Sequence, residues 1–202
     1  KNEIIRNQLL KRIQKNFGRI VYYDLLIWMF TQQKDFESAY VHTKALDKRL
    51  KESGYRLTNL ARLSESNEQY DVSIKCYEYI ISLGKNEQYH DYAKMELLNV
   101  MYKKLVGRGD YTPEEINMLE LSYRNTLEEI GKDASKFLMI KNLAHIEAFY
   151  QYKTEQAQAL LEEALGMSGM SESAIASCKL ELGDILLLSG SIWDASLLYS
   201  QV

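Results

Sequence analysis

The side chains best suited to chemistry in this chain are three histidines and two cysteines, His42, His90, His145, Cys76 and Cys178. None of the histidines stands in an HExxH or other helix-spaced pattern that would hold zinc. His145 and Glu147 form a His-x-Glu pair of the kind found in zinc deaminases, but the Pro-Cys-x-x-Cys that completes such a site is missing. The cysteines form no CxxC, so they predict neither a zinc site nor a disulfide framework. We therefore predict no metal, no cofactor and no catalytic residue.

Other short motifs lead to the same prediction. The sequence contains no GxSxG, P-loop or GxGxxG motif, and Gly107-x-Gly109 opens no strand–helix unit. Residues 108–110 spell Arg-Gly-Asp, a tripeptide that integrins read in exposed loops. Gly-Arg-Gly-Asp is also ordinary turn chemistry, and three-residue motifs arise by chance. We interpret this segment as a loop between helices and predict that the protein is not an enzyme.

Composition favours an all-α protein. The 202 residues are 46% hydrophobic and include a single proline, Pro113. Strong helix formers (Leu, Glu, Lys, Ala, Gln and Met) dominate. No apolar run approaches the roughly 20 residues that a bilayer-spanning helix needs, so we expect no membrane span in this segment.

Charge is distributed unevenly along the chain. Residues 1–62 hold 13 Lys/Arg and 6 Asp/Glu, and residues 63–202 hold 12 and 22. The basic third could attract an acidic partner, although a solvated face or charge complementarity within a larger assembly explains it as well. Nucleic acid is the weaker alternative: Lys44, Lys48 and Lys51 share a helical face, but acidic neighbours dilute the field and the acidic remainder repels phosphate. We predict no nucleic acid partner.

Hydrophobic spacing is helical along nearly the whole chain. Ile5, Leu9, Ile13 and Phe17 form an i, i+4 stripe in the first segment. Glycines at 54, 84 and 131 fall where helices should end, and residues 112–115 form a capping box with proline at the first helical position. The pattern predicts helices at about 2–17, 20–32, 36–52, 56–66, 70–83, 88–106, 113–131, 135–150, 154–166, 172–189 and 191–202.

Small residues recur at matching positions of successive helical hairpins. The pattern reads Leu-Gly or Leu-Ala on the first helix, then Ala or Ser on the second, followed four residues later by Tyr or Leu. The distance from Ala39 to Ser73 is 34 residues, the length of a tetratricopeptide (TPR) unit. The clearest copies are Leu182-Gly183…Ala195…Tyr199, Leu60-Ala61…Ser73…Tyr77 and Leu143-Ala144…Ala157…Leu161.

At these residues the chain resembles the TPR family. The resemblance implies an all-α, right-handed α-α superhelix of about five helical hairpins plus one leading helix, forming a single array truncated at both ends. Residues 88–131 lack the small residues and have a stretched loop, so we treat them as a degenerate, lengthened repeat. The unit around Ala157 carries one extra residue in its turn. The predicted units are 1–18 (the second helix of a preceding repeat), 19–53, 54–86, 87–132, 133–168 and 169–202.

Four-helix bundles and HEAT arrays use similar amphipathic helices. A bundle, however, does not require small residues at one recurrent position of each hairpin. HEAT units run to about 40–47 residues, which fits the middle region but not the spacing from Ala39 to Ser73. The pattern therefore favours TPR-type repeats.

The resemblance implies a protein-interaction scaffold that holds a partner protein or peptide in a concave groove lined by the first helix of each pair. Acidic-tail binders of this family use a clamp of Lys, Asn and Arg, but the first unit offers Asp24 and Trp28 where the clamp needs Lys and Asn, so we reject that function. A groove packed against neighbouring domains is the alternative. The groove positions implied by the family are Asp24, Trp28, Asn59, Arg62, Tyr92, Asn99, Tyr102, Lys141, Asn142, His145 and Asp184.

Two other functions stay open. The array could be the sensory or regulatory half of a larger signalling protein, or part of a ligand-binding envelope lipoprotein. Residues 178–188 and 193–199 resemble long multi-repeat proteins exported by Gram-negative bacteria, which favours a periplasmic or envelope location over a cytoplasmic one. The sequence leaves the oligomeric state undecided.

Overall fold

A computed structural model describes residues 2–16 and 18–202, and these residues form α-helices joined by short turns. Phe17, which the sequence places on the first apolar stripe, lies outside the described residues. The helices are α1 (Asn2–Lys15), α2 (Ile20–Gln32), α3 (Phe36–Leu50), α4 (Tyr55–Ser66), α5 (Tyr70–Ser82), α6 (His90–Arg108), α7 (Pro113–Ile130), α8 (Phe137–His145), α9 (Thr154–Leu165), α10 (Glu172–Leu188) and α11 (Ile192–Tyr199).

The predicted all-α class is confirmed, and each predicted helix has a counterpart within a few residues. Two predictions need correction. The helix expected at 135–150 is three elements: a single 3₁₀ turn at Ala134–Lys136, then α8, then a π-helical turn at Ile146–Tyr150. Gly54 also differs from expectation, because it precedes α4 and does not end α3. The left-handed residue that ends α3 is Lys51.

Local chemistry explains where α7 begins. The Thr112 hydroxyl accepts a hydrogen bond from the Glu115 backbone at 3.2 Å, and the Glu115 carboxylate accepts one from the Thr112 backbone at 2.9 Å. This is the predicted capping box, with Pro113 at the first helical position. Arg108 donates to both Glu115 carboxylate oxygens, at 2.8 and 2.9 Å. The arginine of the Arg-Gly-Asp tripeptide therefore links the end of α6 to the first turn of α7.

Four hairpins share one turn geometry, which is structural evidence of a repeat. A residue with left-handed φ stands two positions before the second helix of each: Lys34 (φ 57°), Glu68 (φ 60°), Tyr152 (φ 59°) and Gly190 (φ 86°). In three of these turns the backbone N–H of the next residue donates to the carbonyl five positions earlier, at 2.8–2.9 Å. That bond and the left-handed residue are the marks of a Schellman-type helix end.

The extra residue that the sequence predicts in the turn between α8 and α9 lies instead at the end of the first helix. There the Lys153 N–H donates to the carbonyl of Glu147, six positions earlier, at 2.8 Å. The additional residue lies in the π-helical turn at Ile146–Tyr150, since a π-turn is how a helix accommodates one inserted residue. The loop itself keeps the same length as in the other hairpins.

The chain divides into two compact units, residues 1–100 and 101–202, with the boundary inside α6. In the first unit, α2 packs on α3 and α4 on α5, while α3 also contacts α4. Its most buried large side chains include Leu26, Leu46 and Tyr77. In the second unit, α8 packs on α9 and α10 on α11, while α9 also contacts α10. Tyr123 and Ile140 are completely buried there.

The two longest helices, α6 and α7, lie in the segment that the sequence predicts to be a lengthened repeat. Helix α6 has 19 residues and α7 has 18, and both carry several charged side chains. Among the described residues no helix combines the length and the apolar character needed to cross a bilayer.

The small residues of the repeat pattern lie at the helix crossings. Ala39, Ala61, Ala144, Ala157 and Ala195 are completely buried. Gly183 makes the tightest approach, since a Cβ atom on it would lie 2.6 Å from the Cε1 atom of Tyr199. Tyr199 also donates its hydroxyl to Asp184 at 2.6 Å, which holds the ring across the glycine. Any larger residue at 183 must displace this ring.

A buried carboxylate lies in the π-turn of the second unit. Glu147 is completely buried and pairs with Arg124 of α7, which also pairs with Glu120. Its second carboxylate oxygen is buried and receives no hydrogen bond from the described residues. Burial raises the pKa of Glu147, an effect that the positive charge of Arg124 opposes without cancelling.

We predict that Gly183→Ala lowers the free energy of unfolding by about 1–3 kcal/mol, because the new methyl group overlaps the Tyr199 ring. Urea unfolding followed by circular dichroism measures the change. Gly107→Ala is the matched control, since a Cβ atom at Gly107 meets no atom within 4 Å. The control should leave stability unchanged or raise it slightly. Equal stability of Gly183→Ala and wild type would contradict the proposed close crossing.

We also predict that the free energy of unfolding of the Glu147→Gln variant increases relative to that of wild type as pH rises. A carboxyl whose pKa is raised in the folded state stabilises the fold below its unfolded pKa, and that stability is lost as pH rises through the folded value. Glutamine carries no charge and escapes this loss. Unfolding free energies at about pH 4 and pH 8 test the prediction.

The exposed residue Glu155 supplies the matched control, because Glu155→Gln makes the same chemical change outside the core, and the pH trend of Glu147→Gln is judged against it. The prediction is wrong if the stability of Glu147→Gln relative to wild type instead falls with rising pH. That result would mean that pairing with Arg124 affects the pKa of Glu147 more than burial does.

Candidate functional site

A groove of about 360 Å³ lies in the first unit between two parallel rows of side chains. Helix α2 contributes Asp24, Trp28 and Thr31, which are spaced i, i+4 and i+7 and therefore share one helical face. Helix α4 contributes Tyr55, Asn59 and Leu63, which are spaced i, i+4 and i+8 and also share one helical face. The lining residues are Asp24, Ile27, Trp28, Thr31, Thr43, Glu52, Tyr55, Arg56, Asn59, Leu60 and Leu63.

Three of the predicted groove residues, Asp24, Trp28 and Asn59, meet in this groove. Trp28 is 60% exposed although it is one of the largest apolar side chains in the protein. Tyr55 and Leu63 are also exposed, and they stand four residues before and four residues after Asn59. The groove thus offers a wide apolar wall with one amide group between its apolar members.

An ion-pair network closes one end of the groove. Arg56 donates to Asp24 and to Glu52, each at 2.5 Å. Burial by itself would lower the pKa of the Arg56 guanidinium, but its bonds to Glu52 and Asp24 outweigh burial and raise that pKa. Asp24 is therefore a paired acid that links α2 to α4. The lining carries two acids against one base, so the groove is mildly negative.

Arg62 and Tyr92, two further predicted residues, contact each other. The Arg62 Nε donates to the Tyr92 hydroxyl at 3.0 Å, and the guanidinium carbon lies 5.7 Å from the centre of the tyrosine ring. This bond to Tyr92 raises the pKa of Arg62. Asn99, on the same helix as Tyr92, donates to Glu96 at 3.4 Å. These residues lie outside the lining of the groove, within the first unit.

The second unit brings Tyr102 and His145 together. Their rings are 5.8 Å apart and perpendicular, and His145 also stacks on Phe149 at 4.6 Å. The Nδ1 atom of His145 lies 2.7 Å from a carboxylate oxygen of Glu181 on α10. His145 is thus held by aromatic rings and one acid, and the neighbouring Glu147 is engaged separately with Arg124. His145 and Glu147 therefore have different partners and do not form one site.

The remaining predicted residues have other roles in the second unit. Asn142 is 5% exposed and donates to the Tyr123 hydroxyl at 3.3 Å, so its side chain belongs to the core and not to an open surface. Asp184 accepts the hydrogen bond from Tyr199 that spans Gly183. Lys141 is half-buried. Of these three, Asn142 is the one that burial removes from any peptide-binding surface.

Sequence reasoning missed Arg56, Tyr55 and Leu63. A signal for Arg56 was present, since Glu52 and Arg56 stand at i, i+4 spacing, which favours a helical ion pair. Tyr55 and Leu63 could have been found by extending the Asn59 face by one turn in each direction. Among residues 2–16 and 18–202, no three His, Cys, Asp or Glu side chains come together as metal ligands would.

Comparison with known proteins gives matches in structure alone. No family model matches the chain, and neither does any curated protein sequence. The crystal structure of BtubC (BKLC) from P. vanneervenii superimposes with a TM-score of 0.64 at 16% identity, covering 99% of this chain and 86% of that chain. A kinesin light chain-like protein from Podosopora anserina with nearly identical TPR-like repeats gives a TM-score of 0.58 at 15% identity, covering 92% and 93%. These likenesses and the recurring turn geometry show that the chain has the fold of TPR-like helical repeat proteins.

Proposed function

We propose that the chain is a protein-interaction module whose first unit holds a partner peptide in the groove between α2 and α4. TPR-like folds are in general scaffolds for protein–protein interaction. The observation that carries the proposal is the exposure of Trp28 beside Asn59 in a groove of about 360 Å³. Tryptophan buries 150–250 Å² when covered, so it supplies much contact area at a small cost in side-chain entropy.

The rows facing the groove favour an extended peptide. Asn59 can donate from its amide nitrogen and accept at its oxygen, which matches the alternating N–H and C=O groups of a peptide backbone. Trp28 and Leu63 lie on opposite helices and offer an apolar pocket for one side chain of that peptide. The expected ligand therefore has an aromatic or aliphatic anchor next to a backbone segment free to bond with Asn59.

Charge limits the choice of peptide. Arg56 is the one basic side chain of the lining, and Asp24 and Glu52 already neutralise it. An acidic tail would find no unpaired positive charge along this lining and would meet one excess acid. We infer a preference for neutral or basic peptides, which agrees with the rejection of the acidic-tail clamp from the sequence.

Peptide display on the immobilised 202-residue chain tests this proposal. We expect selected peptides to share an apolar anchor, and Trp28→Ala to weaken the best of them at least tenfold by isothermal titration calorimetry, as for a central aromatic contact residue. Asn59→Ala should also weaken binding. Both side chains are exposed, so neither change should lower stability appreciably.

The control variant is Trp193→Glu, which changes the other tryptophan of the chain at an exposed site in the second unit. It should leave peptide affinity unchanged. Peptides that bind Trp28→Ala as tightly as wild type, or a library that yields no binder, would refute the proposed groove.

A further inference from the structure

Thr43 forms the floor of the groove in the first unit. It lies on α3, which contacts both α2 and α4, and it follows Ala39 by four residues on the buried face of that helix. The side chain lines the groove although only 2% of its surface is exposed, which makes it the least exposed member of the lining. A side chain inserted between α2 and α4 would therefore meet Thr43 at its deepest point.

The other hairpins carry a larger side chain at the position of Thr43. Four residues after the small residue of the second helix stand Thr43, Tyr77, Leu161 and Tyr199 in the four hairpins. Tyr77 and Leu161 are completely buried, and the ring of Tyr77 reaches Tyr92 on the next first helix, with ring centres 6.3 Å apart. Threonine is too small to fill the corresponding space between α2 and α4, where the groove of about 360 Å³ lies.

The hydroxyl of Thr43 is buried and has no hydrogen-bond partner among the described residues. Burying a hydroxyl without a partner is unfavourable. The neighbouring hydroxyl of Thr31, by contrast, donates to the Trp28 carbonyl at 2.8 Å. Threonine uses two side-chain rotamers in helices, and a change between them can turn the Thr43 hydroxyl toward the groove. A polar group inserted to this depth would satisfy a hydroxyl that the free protein leaves unpaired.

We propose that the groove selects a tyrosine of the partner peptide, with the ring between α2 and α4 and the hydroxyl bonded to Thr43. This inference rests on the proposed peptide groove and names the side chain that anchors the peptide there. The ring of a tyrosine is apolar, and Ile27, Leu60 and Leu63 line the groove beside it. Its hydroxyl both donates and accepts, so it can pair with the Thr43 hydroxyl in either direction.

Other anchors fit this floor less well. Phenylalanine and leucine would cover Thr43 and leave its hydroxyl unpaired. The indole N–H of tryptophan lies at the side of the ring system and only donates. Lysine would bring a charge against a neutral hydroxyl, and burying that charge is costly. A phenol hydroxyl, which lies at the far end of the ring, matches an apolar wall that ends in one hydroxyl.

Isothermal titration calorimetry with matched peptides tests the inference. A peptide selected on the immobilised chain is made with tyrosine and with phenylalanine at its anchor position. We expect wild type to bind the tyrosine form about tenfold more tightly, because only that form pairs with Thr43. Thr43→Val replaces the hydroxyl with a methyl group, so it should bind the two forms with equal affinity.

Thr43→Tyr tests whether the anchor occupies the space that sibling hairpins fill themselves. Tyrosine is the residue type that two of those hairpins carry at this position, so the variant should fold, as circular dichroism can verify. Its own ring should then fill the groove and weaken the tyrosine peptide at least tenfold. Unchanged affinity of this variant would show that the anchor lies elsewhere.

Ser73→Ala is the matched control. Ser73 is completely buried and its hydroxyl also has no partner among the described residues, but it does not line the groove. The variant should keep the wild-type preference for tyrosine. Selected peptides without a tyrosine anchor, equal affinity of wild type for both forms, or a preference that survives Thr43→Val would overturn the tyrosine assignment and leave the groove in place. Failure of every peptide to bind would refute the groove itself, and this inference with it.

Discussion

The close crossing of paired helices is the constraint on which the rest of this structure depends. Ala39, Ala157 and Ala195 are fully buried at those crossings, and Gly183 leaves no room for a methyl group beneath Tyr199. Small residues there allow the backbones to approach, and dispersion contacts between closely packed helices fall off steeply with separation. The same approach fixes which faces of α2 and α4 remain outside the core, and so it determines that Trp28 and Asn59 look into a groove.

The polar interactions of the two units serve different ends. In the first unit Arg56 joins Asp24 and Glu52 at the surface of the groove, where water screens the charges and the geometry matters more than the energy. In the second unit Arg124 reaches a carboxylate that is wholly buried, where one oxygen has no donor among the described residues. Water can solvate the first network, whereas burial of the second raises the pKa of Glu147 against the opposing charge of Arg124.

Helix positions followed from the sequence because apolar spacing, glycines and the capping box at Thr112 all act locally. The repeat followed from Ala39 and Ser73, and the extra residue near Ala157 was visible as an irregular spacing. Burial of Asn142 could not be foreseen, because its partner Tyr123 lies on another helix at a distance that no local pattern encodes. The left-handed turns at Lys34, Glu68 and Tyr152 were also hidden, since these residue types are not the usual ones for positive φ. Asp24, Trp28 and Asn59 were predicted, whereas the other lining residues and the ionic closure of the groove by Arg56 were missed.

The π-turn at Ile146–Tyr150 shifts the register of its hairpin by one residue relative to the other three hairpins. Eleven residues before the small residue of the second helix stand Trp28, Arg62 and Asp184 in three hairpins. In the fourth the same count ends at Ile146, which is buried, and the matching side chain is His145, one place earlier. An ungapped superposition of the four sequences would thus pair a core residue with surface residues throughout the first half of this hairpin. Removing a single residue from this turn would bring the hairpin back into register with the other three.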